Sequence, residues 1–129
     1  MPNRWRDWLA QAERDFEHIA ECRASERHEW ACFAAHQSAE KAVKALHLKL
    51  GQEAWGHVVA RLLSELPEQV TVPVSAVEMG RTLDAFYIPT RYPNGHPEGA
   101  PFQHFGPLQS ETAETYARQI LEFVRAQMA

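Results

Sequence analysis

The sequence predicts an all-helical fold, an up-and-down bundle of four main helices and one short helix. Apolar residues recur at spacings of three and four along most of the chain, which is the period of one helix face. No segment of the sequence shows the alternation of apolar and polar residues that is typical of a strand. Short segments rich in proline and glycine divide the pattern into helices with antiparallel neighbours. The chain of 129 residues has the length of one domain, and we expect residues 1–129 to form it.

The first helix is predicted over residues 4–23, with Asn3 as its N-cap. Its apolar stripe consists of Trp5, Trp8, Leu9, Ala12, Phe16, Ile19 and Ala20. Ser25 is predicted to cap a long second helix that ends at Gly51, because glycine readily takes the left-handed conformation that follows a helix end. The second helix is apolar or small on most sides, which predicts that it packs against several neighbours.

Four polar side chains interrupt the apolar pattern of the second helix: Gln37, Glu40, Lys41 and Lys44. Burying charges is costly unless they are paired or open to a cleft. Two interpretations are open for Glu40, a buried ion pair with Lys41 or Lys44 and a proton relay. His36 and Glu40 are spaced to share a metal ion, but no third ligand is arranged beside them, so we expect no metal site.

Three further helices are predicted. A short one covers residues 57–66 and ends before a proline. Pro73 suits the first turn of a fourth helix, which Pro89 closes. Ser110 is predicted to cap the last helix. The apolar stripe of that helix consists of Ala113, Tyr116, Ala117, Ile120, Leu121, Val124 and Met128.

One irregular segment, residues 88–101, carries most of the candidate chemistry. It is too rich in proline and glycine for regular structure, and loops held by rigid scaffolds are where functional sites usually lie. It contains Arg91, Tyr92 and His96. Arginine offers a planar fork that fits phosphate, and histidine titrates nearest to neutral pH. The segment is therefore the predicted functional site.

Charge and composition argue against several classes of protein. The net charge is -4, whereas a general nucleic-acid binder has a basic face, so only a local basic patch is compatible with such a ligand. The sequence has neither a membrane-spanning apolar run nor the apolar core of a signal peptide, and we expect a cytoplasmic protein without membrane contact. Cys22 and Cys32 are expected to be reduced core side chains rather than zinc ligands or a disulfide.

Three segments together resemble the HEPN domain, a small helical family found beside or fused to minimal nucleotidyltransferases in prokaryotes. They are residues 33–46 of the second helix, His57, and residues 87–93 with the sequence YIPTRYP. The resemblance spans nearly the whole chain. It implies an up-and-down helical bundle that forms a homodimer. Many family members are metal-independent endoribonucleases that act as the toxin of a toxin–antitoxin pair.

The catalytic signature of those ribonucleases is an arginine, four to six residues, and then a histidine. Arg91 and His96 match it with four residues between them. Arg23 and His28 have the same spacing, but the helical pattern places them at a simple connection between helices. Glu98 stands where the toxins paired with nucleotidyltransferases have a tyrosine that is modified to silence them. This difference argues against silencing by adenylylation.

Two functional hypotheses follow, and neither requires a cofactor. In the first, the protein is the toxin-like partner of a minimal nucleotidyltransferase and cleaves RNA in a dimer cleft, where His96 transfers protons and Arg91 binds phosphate. Tyr92 then stacks a base, and Lys41 or Lys44 adds positive charge. In the second, the domain is a non-catalytic HEPN module that binds a nucleotide or a partner through Arg91, Tyr92 and Lys44.

Simpler roles are open for the same side chains. Arg91 alternatively anchors its loop by bonding Glu40 or backbone carbonyl groups. His96, which lies between a glycine and a proline, is alternatively an exposed turn residue. Tyr87 and Tyr92 are then core or interface aromatic residues. The relative positions of these side chains decide between the alternatives.

Overall fold

The computed structural model describes residues 3–129, and residues 1 and 2 of the predicted domain lie outside the described residues. The five α-helices are α1 (Trp5–Ala24), α2 (His28–Lys49), α3 (Val59–Ser64), α4 (Val74–Asp84) and α5 (Pro107–Met128). Two short 3-10 turns, Pro93–Gly95 and Pro101–Gln103, lie between α4 and α5. The prediction of an all-helical bundle is confirmed, and residues 3–129 contain no strand.

Helix α2 lies at the centre of the bundle. It packs along α1 and α5 and also contacts α3 and α4. Its side chains Ala35, Ala39 and Ala42 are fully buried. Small side chains let other helices approach closely on several sides, as the sequence predicts. The large core side chains that neighbouring helices contribute include Ile19, Leu62, Leu63, Leu83, Ile120 and Leu121.

Helix α1 spans the predicted residues to within one position at each end. The prediction of Asn3 as N-cap is wrong by one residue, since Arg4 is the N-cap of α1. Oδ1 of Asn3 still accepts a hydrogen bond from the backbone N–H of Trp5, the first helical residue, at 3.0 Å. The amide nitrogen of Asn3 also donates to the carbonyl of Leu48 at 2.6 Å. The residue predicted as N-cap therefore also joins the start of α1 to the end of α2.

Helices α1 and α2 end in the same hydrogen-bond pattern. Glu26 has a φ of 61° after α1, and Gly51 has a φ of 80° after α2, as predicted for that glycine. In both turns the backbone N–H of this left-handed residue and that of the residue after it donate to carbonyl groups of the last helical turn. The prediction that Ser25 caps α2 is wrong. Ser25 lies at the end of α1 and its hydroxyl donates to carbonyls of that helix, while α2 begins after Arg27.

The prediction that Ser110 caps the last helix is also wrong. Helix α5 begins one turn earlier at Pro107, whose fixed φ suits the first position of a helix. Ser110 is fully buried, and its hydroxyl lies 3.1 Å from Nε of Arg23 and 2.8 Å from Nδ1 of His28. It therefore joins α5 to the α1–α2 connection instead of capping a helix.

Helices α3 and α4 are shorter than predicted. Helix α4 ends at Asp84, and residues 85–91 form consecutive turns. In these turns the hydroxyl of Thr90 donates to the carbonyl of Phe86 at 2.6 Å. The segment after α4 leads into the predicted irregular loop, and its Tyr87 packs on α2 next to Phe33.

All four tryptophan side chains reach the surface. Trp5 is half-buried, and the side chains of Trp8, Trp30 and Trp55 are exposed. The core is instead filled by aliphatic residues and alanine. Large exposed aromatic rings are typical of surfaces that contact a ligand or another protein.

Both cysteines are buried and free, as the sequence predicts. Burial away from water raises the pKa of the Cys32 thiol to about 12 and also raises the pKa of Cys22. Thiols in this state are poor nucleophiles and poor metal ligands.

Candidate functional site

The ring of Tyr87 and four side chains around it, from three parts of the chain, form one group of contacts. We call them the Tyr87 cluster: Phe33, His36, His57, Tyr87 and Arg91. The centre of the Tyr87 ring lies 6.2 Å from that of Phe33 and 5.0 Å from those of His36 and His57. The guanidinium carbon of Arg91 lies 4.6 Å from the same ring centre. Helix α2, the residues before α3 and the segment after α4 therefore build one site.

The guanidinium group of Arg91 lies against three aromatic rings. Its guanidinium carbon lies 4.4 Å from the ring centre of Phe33 and 5.1 Å from that of Tyr92. Its Nε donates to the carbonyl of Tyr87 at 2.8 Å, so one of the simpler roles, anchoring to a backbone carbonyl, is present. Among the described residues, the two terminal nitrogens of Arg91 have no hydrogen-bond or ion-pair partner. These two terminal nitrogens of the guanidinium group are therefore available to bind an anion.

His36 fixes the relative positions of α2, α3 and α4. The ring is fully buried, and its Nε2–H points to the carbonyl of His57 at 2.8 Å and to Oδ1 of Asp84 at 3.2 Å. The carboxylate of Asp84 also accepts the backbone N–H groups of Val59 at 2.6 Å and Ala60 at 3.0 Å. Asp84 thus caps α3 from the end of α4.

Asp84 is a residue that our sequence analysis missed. One signal was available, because a carboxylate at the C-terminal end of a helix is disfavoured by the helix dipole. Such a residue is better explained by a partner elsewhere, here the N-terminus of α3. The identity of that partner was not readable from the sequence.

A chain of hydrogen bonds leads from inside the bundle to the surface. Nζ of Lys44 donates to Oε2 of Glu40 at 3.1 Å, and Nδ1–H of His57 donates to Oε1 of the same carboxylate at 3.0 Å. The side chains of Lys44 and Glu40 are buried, whereas that of His57 is 56% exposed. Glu40 therefore forms the predicted ion pair with Lys44 and, in addition, contacts a surface histidine.

Lys41, the other predicted ion-pair partner of Glu40, forms an ion pair with Asp15 of α1 instead. Both side chains line a concavity of about 280 Å³ between α1 and α2, together with Trp30, Phe33 and Gln37. Phe33 belongs to this concavity and to the Tyr87 cluster. Lys41 therefore lies in a depression that adjoins the cluster.

His96 contacts a different set of groups. Its Nε2–H donates to the carbonyl of Pro89 at 2.7 Å. Its ring is stacked on His104, with 4.0 Å between the ring centres and 3° between the planes. Nε2–H of His104 in turn donates to the carbonyl of Glu98 at 2.6 Å. We call the stacked rings of His96 and His104, together with the residues Pro89 and Glu98 whose carbonyl groups they bond, the His96 loop. The structure thus brings Arg91 together with Tyr92 and places His96 against its own loop.

Other site types find little support in the described part of the chain. Residues 3–129 contain no group of three His, Cys, Asp or Glu side chains placed to hold a metal ion. No helix in the same range is long and apolar enough to cross a lipid bilayer. A concavity of about 670 Å³ is lined by residues 52–56 with His47, Arg61 and Glu65, and it contains none of the predicted site residues.

Comparison with families of known proteins now identifies the fold. The model of the HEPN domain matches residues 5–127. The chain belongs to the HEPN domain family. The resemblance found in the sequence is thereby confirmed. A comparison with curated proteins finds no match.

Solved structures of similar sequence have the same architecture. The protein TT1696 from Thermus thermophilus is 48% identical over 97% of this chain and 98% of that chain, with a TM-score of 0.95. ST0689, an archaeal HEPN homologue, is 35% identical over 100% of both chains, with a TM-score of 0.84. A HEPN domain protein of Thermotoga maritima is 29% identical over 95% of this chain and 97% of that chain, with a TM-score of 0.76. The bundle and its order of helices are therefore those of HEPN domains.

Proposed function

We propose that this HEPN domain binds the phosphate groups of RNA or of a nucleotide at the Tyr87 cluster. Arg91 is the phosphate ligand, and Tyr92 is the neighbouring surface on which a base stacks. One observation carries the proposal: the guanidinium of Arg91 is fixed by three aromatic rings and one carbonyl, while its terminal nitrogens have no partner in the described chain. An arginine whose orientation is already fixed loses little entropy when it binds phosphate.

The aromatic surface beside Arg91 favours a nucleotide or RNA, rather than a free inorganic anion, as the ligand. The side chains of Tyr92 and Trp30 are 48% and 45% exposed. Bases of single-stranded RNA stack on such rings, and stacking tolerates any base because every base has a flat face. The pattern of one arginine fork among exposed rings is therefore suited to a phosphate with a base attached.

The lysines contribute less positive charge than expected. Lys41 is paired with Asp15, and Lys44 is paired with Glu40. An ammonium group that already has a carboxylate partner attracts phosphate weakly. Arg91 is consequently the main cation of the proposed site, which agrees with a net charge of -4 and a small basic patch.

A second candidate function is metal-independent cleavage of RNA by a toxin-like HEPN domain with Arg91 and His96 as its catalytic pair and a minimal nucleotidyltransferase as its partner. One observation favours it. The hydrogen bond from Nε2–H of His96 to Pro89 fixes the tautomer in which Nδ1 carries the lone pair, as a general base requires. Stacking on His104 covers one face of this ring, so we place this function second.

We also propose that the domain is a homodimer, since HEPN domains commonly dimerise. Exposed Trp30, Ile88 and Tyr92 border the Tyr87 cluster and supply apolar surface for a second copy. A dimer that covers part of this surface would bring two Arg91 side chains to one cleft. Light scattering at micromolar concentration should then give twice the chain mass of 14.7 kDa, and a monomeric mass would refute the dimer.

Binding of RNA tests the proposed function. Fluorescence anisotropy with a labelled 12-nucleotide RNA whose 2′-hydroxyls are methylated measures affinity without cleavage. We expect Arg91→Ala to weaken binding by about 10-fold or more, because a charge-assisted two-point contact to phosphate is lost. The slope of log affinity against log salt should fall by about one.

The matched control removes a positive charge elsewhere. Arg14 on α1 is highly exposed and has only a 3.9 Å contact with Glu17. Arg14→Ala changes the net charge equally and should leave affinity within about twofold. Equal affinities of the wild type and Arg91→Ala for RNA and for ATP would contradict the proposed function.

A further inference from the structure

The concavity between α1 and α2 is walled by two aromatic rings. We call it the α1–α2 depression, and its lining includes Asp15, Trp30, Phe33, Gln37 and Lys41. Its volume of about 280 Å³ is just below the roughly 300–1,000 Å³ of pockets that hold drug-sized ligands. The rings of Trp30 and Phe33 meet at 81°, with 6.1 Å between their centres, so a flat ligand can stack on one ring and meet the other edge-on. The depression therefore suits a single nucleobase rather than a whole nucleotide.

The charges that line this depression are already balanced. The ammonium of Lys41 is paired with the carboxylate of Asp15, which also accepts a hydrogen bond from the amide of Gln11 at 2.9 Å. The ring of His18, the other lining group that can carry positive charge, lies 3.3 Å from the carboxylate of Glu21. Cations with a carboxylate partner attract phosphate weakly. The uncharged part of a nucleotide, its base, is thus the better fit.

The side-chain amide of Gln37 is held in one orientation by the ring of His36. Nε2 of this fully buried ring faces two acceptors, the carbonyl of His57 at 2.8 Å and Oδ1 of Asp84 at 3.2 Å. Nε2 therefore carries the proton of the neutral imidazole, and Nδ1 is an acceptor. The amide nitrogen of Gln37 lies 3.2 Å from Nδ1 and donates to it. Turning the amide over would place its oxygen against the lone pair of Nδ1.

The rest of the Gln37 amide is open to a ligand. Its Oε1 has no hydrogen-bond partner among residues 3–129, and none of the partnerless side-chain oxygens in that range is buried. Oε1 therefore reaches solvent at a residue that lines the depression. The oxygen and the remaining N–H of a glutamine amide are the two groups that pair with the amine of adenine and the ring nitrogen next to it. An amide already held in place loses little entropy on binding.

We infer that the α1–α2 depression is a base subsite, in which a nucleobase stacks on Trp30 and forms hydrogen bonds with Gln37 through its edge. The inference rests on the proposed function, in which Arg91 binds the phosphate of the same ligand. Arg91 is a close neighbour of the depression, because its guanidinium carbon lies 4.4 Å from the centre of the Phe33 ring that lines it. In RNA, the base on the other side of the bound phosphate is left for Tyr92. In the proposed homodimer the depression must stay open to the ligand.

Isothermal titration calorimetry with two matched ligands tests the inference. The first is adenosine 5′-monophosphate (AMP). The second carries benzimidazole in place of adenine, so it keeps the phosphate, the sugar and the fused rings but lacks the exocyclic amine and the nitrogens of the larger ring. We expect the wild type to bind AMP about fivefold or more tightly than the benzimidazole nucleotide, because a site that hydrogen-bonds its ligand rejects an analogue without those groups.

Gln37→Met removes the hydrogen-bonding groups and keeps the length of the side chain. This variant should bind the two ligands equally, with an affinity close to that of the wild type for the benzimidazole nucleotide. Gln119→Met is the matched control, since Gln119 is an exposed glutamine on α5, and it should keep the preference for AMP. Circular dichroism checks that both variants keep their helix content.

Trp30→Ala tests the stacking surface without altering the contact between Gln37 and His36. Both ligands should bind about fivefold or more weakly, because stacking contributes to the binding of any flat ring. Trp55→Ala is the control, since this ring is 80% exposed and lies outside the lining of the depression, and both affinities should stay within about twofold. This comparison is decisive whether or not Gln37→Met folds.

Arg91→Ala separates the inference from the proposed function, because it should weaken both ligands by the same factor and keep their ratio. A wild type that binds the two ligands equally overturns the inference. Unchanged affinities in Trp30→Ala also overturn it and leave the base on Tyr92. In either case, weaker binding by Arg91→Ala leaves the proposed binding of phosphate intact. A wild type that binds the methylated RNA but not AMP overturns the inference alone, and one that binds neither overturns both.

Discussion

The Tyr87 cluster and the His96 loop are both built from histidine and aromatic rings, yet they are held together differently. Hydrogen bonds of His36 and His57 reach residues 48 and 17 positions away in the sequence. Those of His96 and His104 reach residues 7 and 6 positions away. Helix packing therefore positions the first set of rings, whereas the second set positions itself within one loop.

This difference indicates where function depends on the fold. A side chain that is oriented by distant elements keeps its direction only while the bundle is intact, and such rigid placement is what a binding or catalytic group requires. A loop that satisfies its own ring nitrogens through nearby carbonyls has a structural use for its histidines. The same residue type thus has two roles in one short chain.

The largest effect is expected where the cluster depends on distant contacts. Asp84→Ala removes the acceptor of two backbone N–H groups of α3 and of the buried ring of His36. We expect the free energy of unfolding to fall by about 2–4 kcal/mol, because the two backbone N–H groups are left without partners, while His36 keeps only its hydrogen bond to the carbonyl of His57. Urea denaturation followed by circular dichroism measures this value.

Glu78→Ala is the control for Asp84→Ala. Glu78 lies on the same helix, but its carboxylate is exposed and paired only with Arg81. Exposed pairs contribute little, so the unfolding free energy should change by no more than about 0.5 kcal/mol. If the two variants were equally stable, α3 would not depend on the Asp84 cap.

A smaller effect is expected within the His96 loop. His96→Ala, His104→Ala and the double variant form a double-mutant cycle for the stacked ring pair. The coupling free energy should be about 0.5–1.5 kcal/mol, as for other aromatic pairs. RNA affinity should be the same in all four proteins. A loss of affinity in the variants would mean that the loop and the Tyr87 cluster act as one unit.

The smallest effect is expected for the hydroxyl of Tyr87. The contacts that the structure records for this side chain, with Phe33, His36, His57 and Arg91, are all made by its ring. Tyr87→Phe keeps that ring, and both stability and RNA affinity should change by less than about 0.5 kcal/mol. A clear loss of affinity with stability unchanged would show that the hydroxyl donates to phosphate.

Much of the fold was predictable because it depends on local patterns. The period of apolar residues predicted the helices and the central place of α2, and Gly51 marked the end of that helix through its left-handed backbone. The two serine caps were wrong for a common reason. Ser25 and Ser110 have the right side chain for a cap, but Arg27 and Gly106 stand at the N-cap positions, and neither forms a side-chain cap. Long-range packing uses Ser110 elsewhere.

The candidate site was predictable only in part. Arg91 and Tyr92 lie together because they are neighbours in the sequence, and the loop containing them was visible from its prolines and glycines. The contacts of Glu40 with His57, and of Asp84 with α3, join residues 17 and 25 positions apart. Such pairings depend on the angles and positions at which three helices pack. The apolar pattern of a single sequence predicts the helices but not these angles and positions.

The surface position of the tryptophans determines what the protein's intrinsic fluorescence reports. The indole of Trp55 is 80% exposed and faces water in the folded state, so unfolding changes its emission only slightly. A ligand beside Trp30 would alter that emission directly, because this ring is 45% exposed and borders the depression next to Phe33. Tryptophan emission in this protein therefore reports on what occupies the surface as well as on folding, and helix content is the cleaner measure of folding.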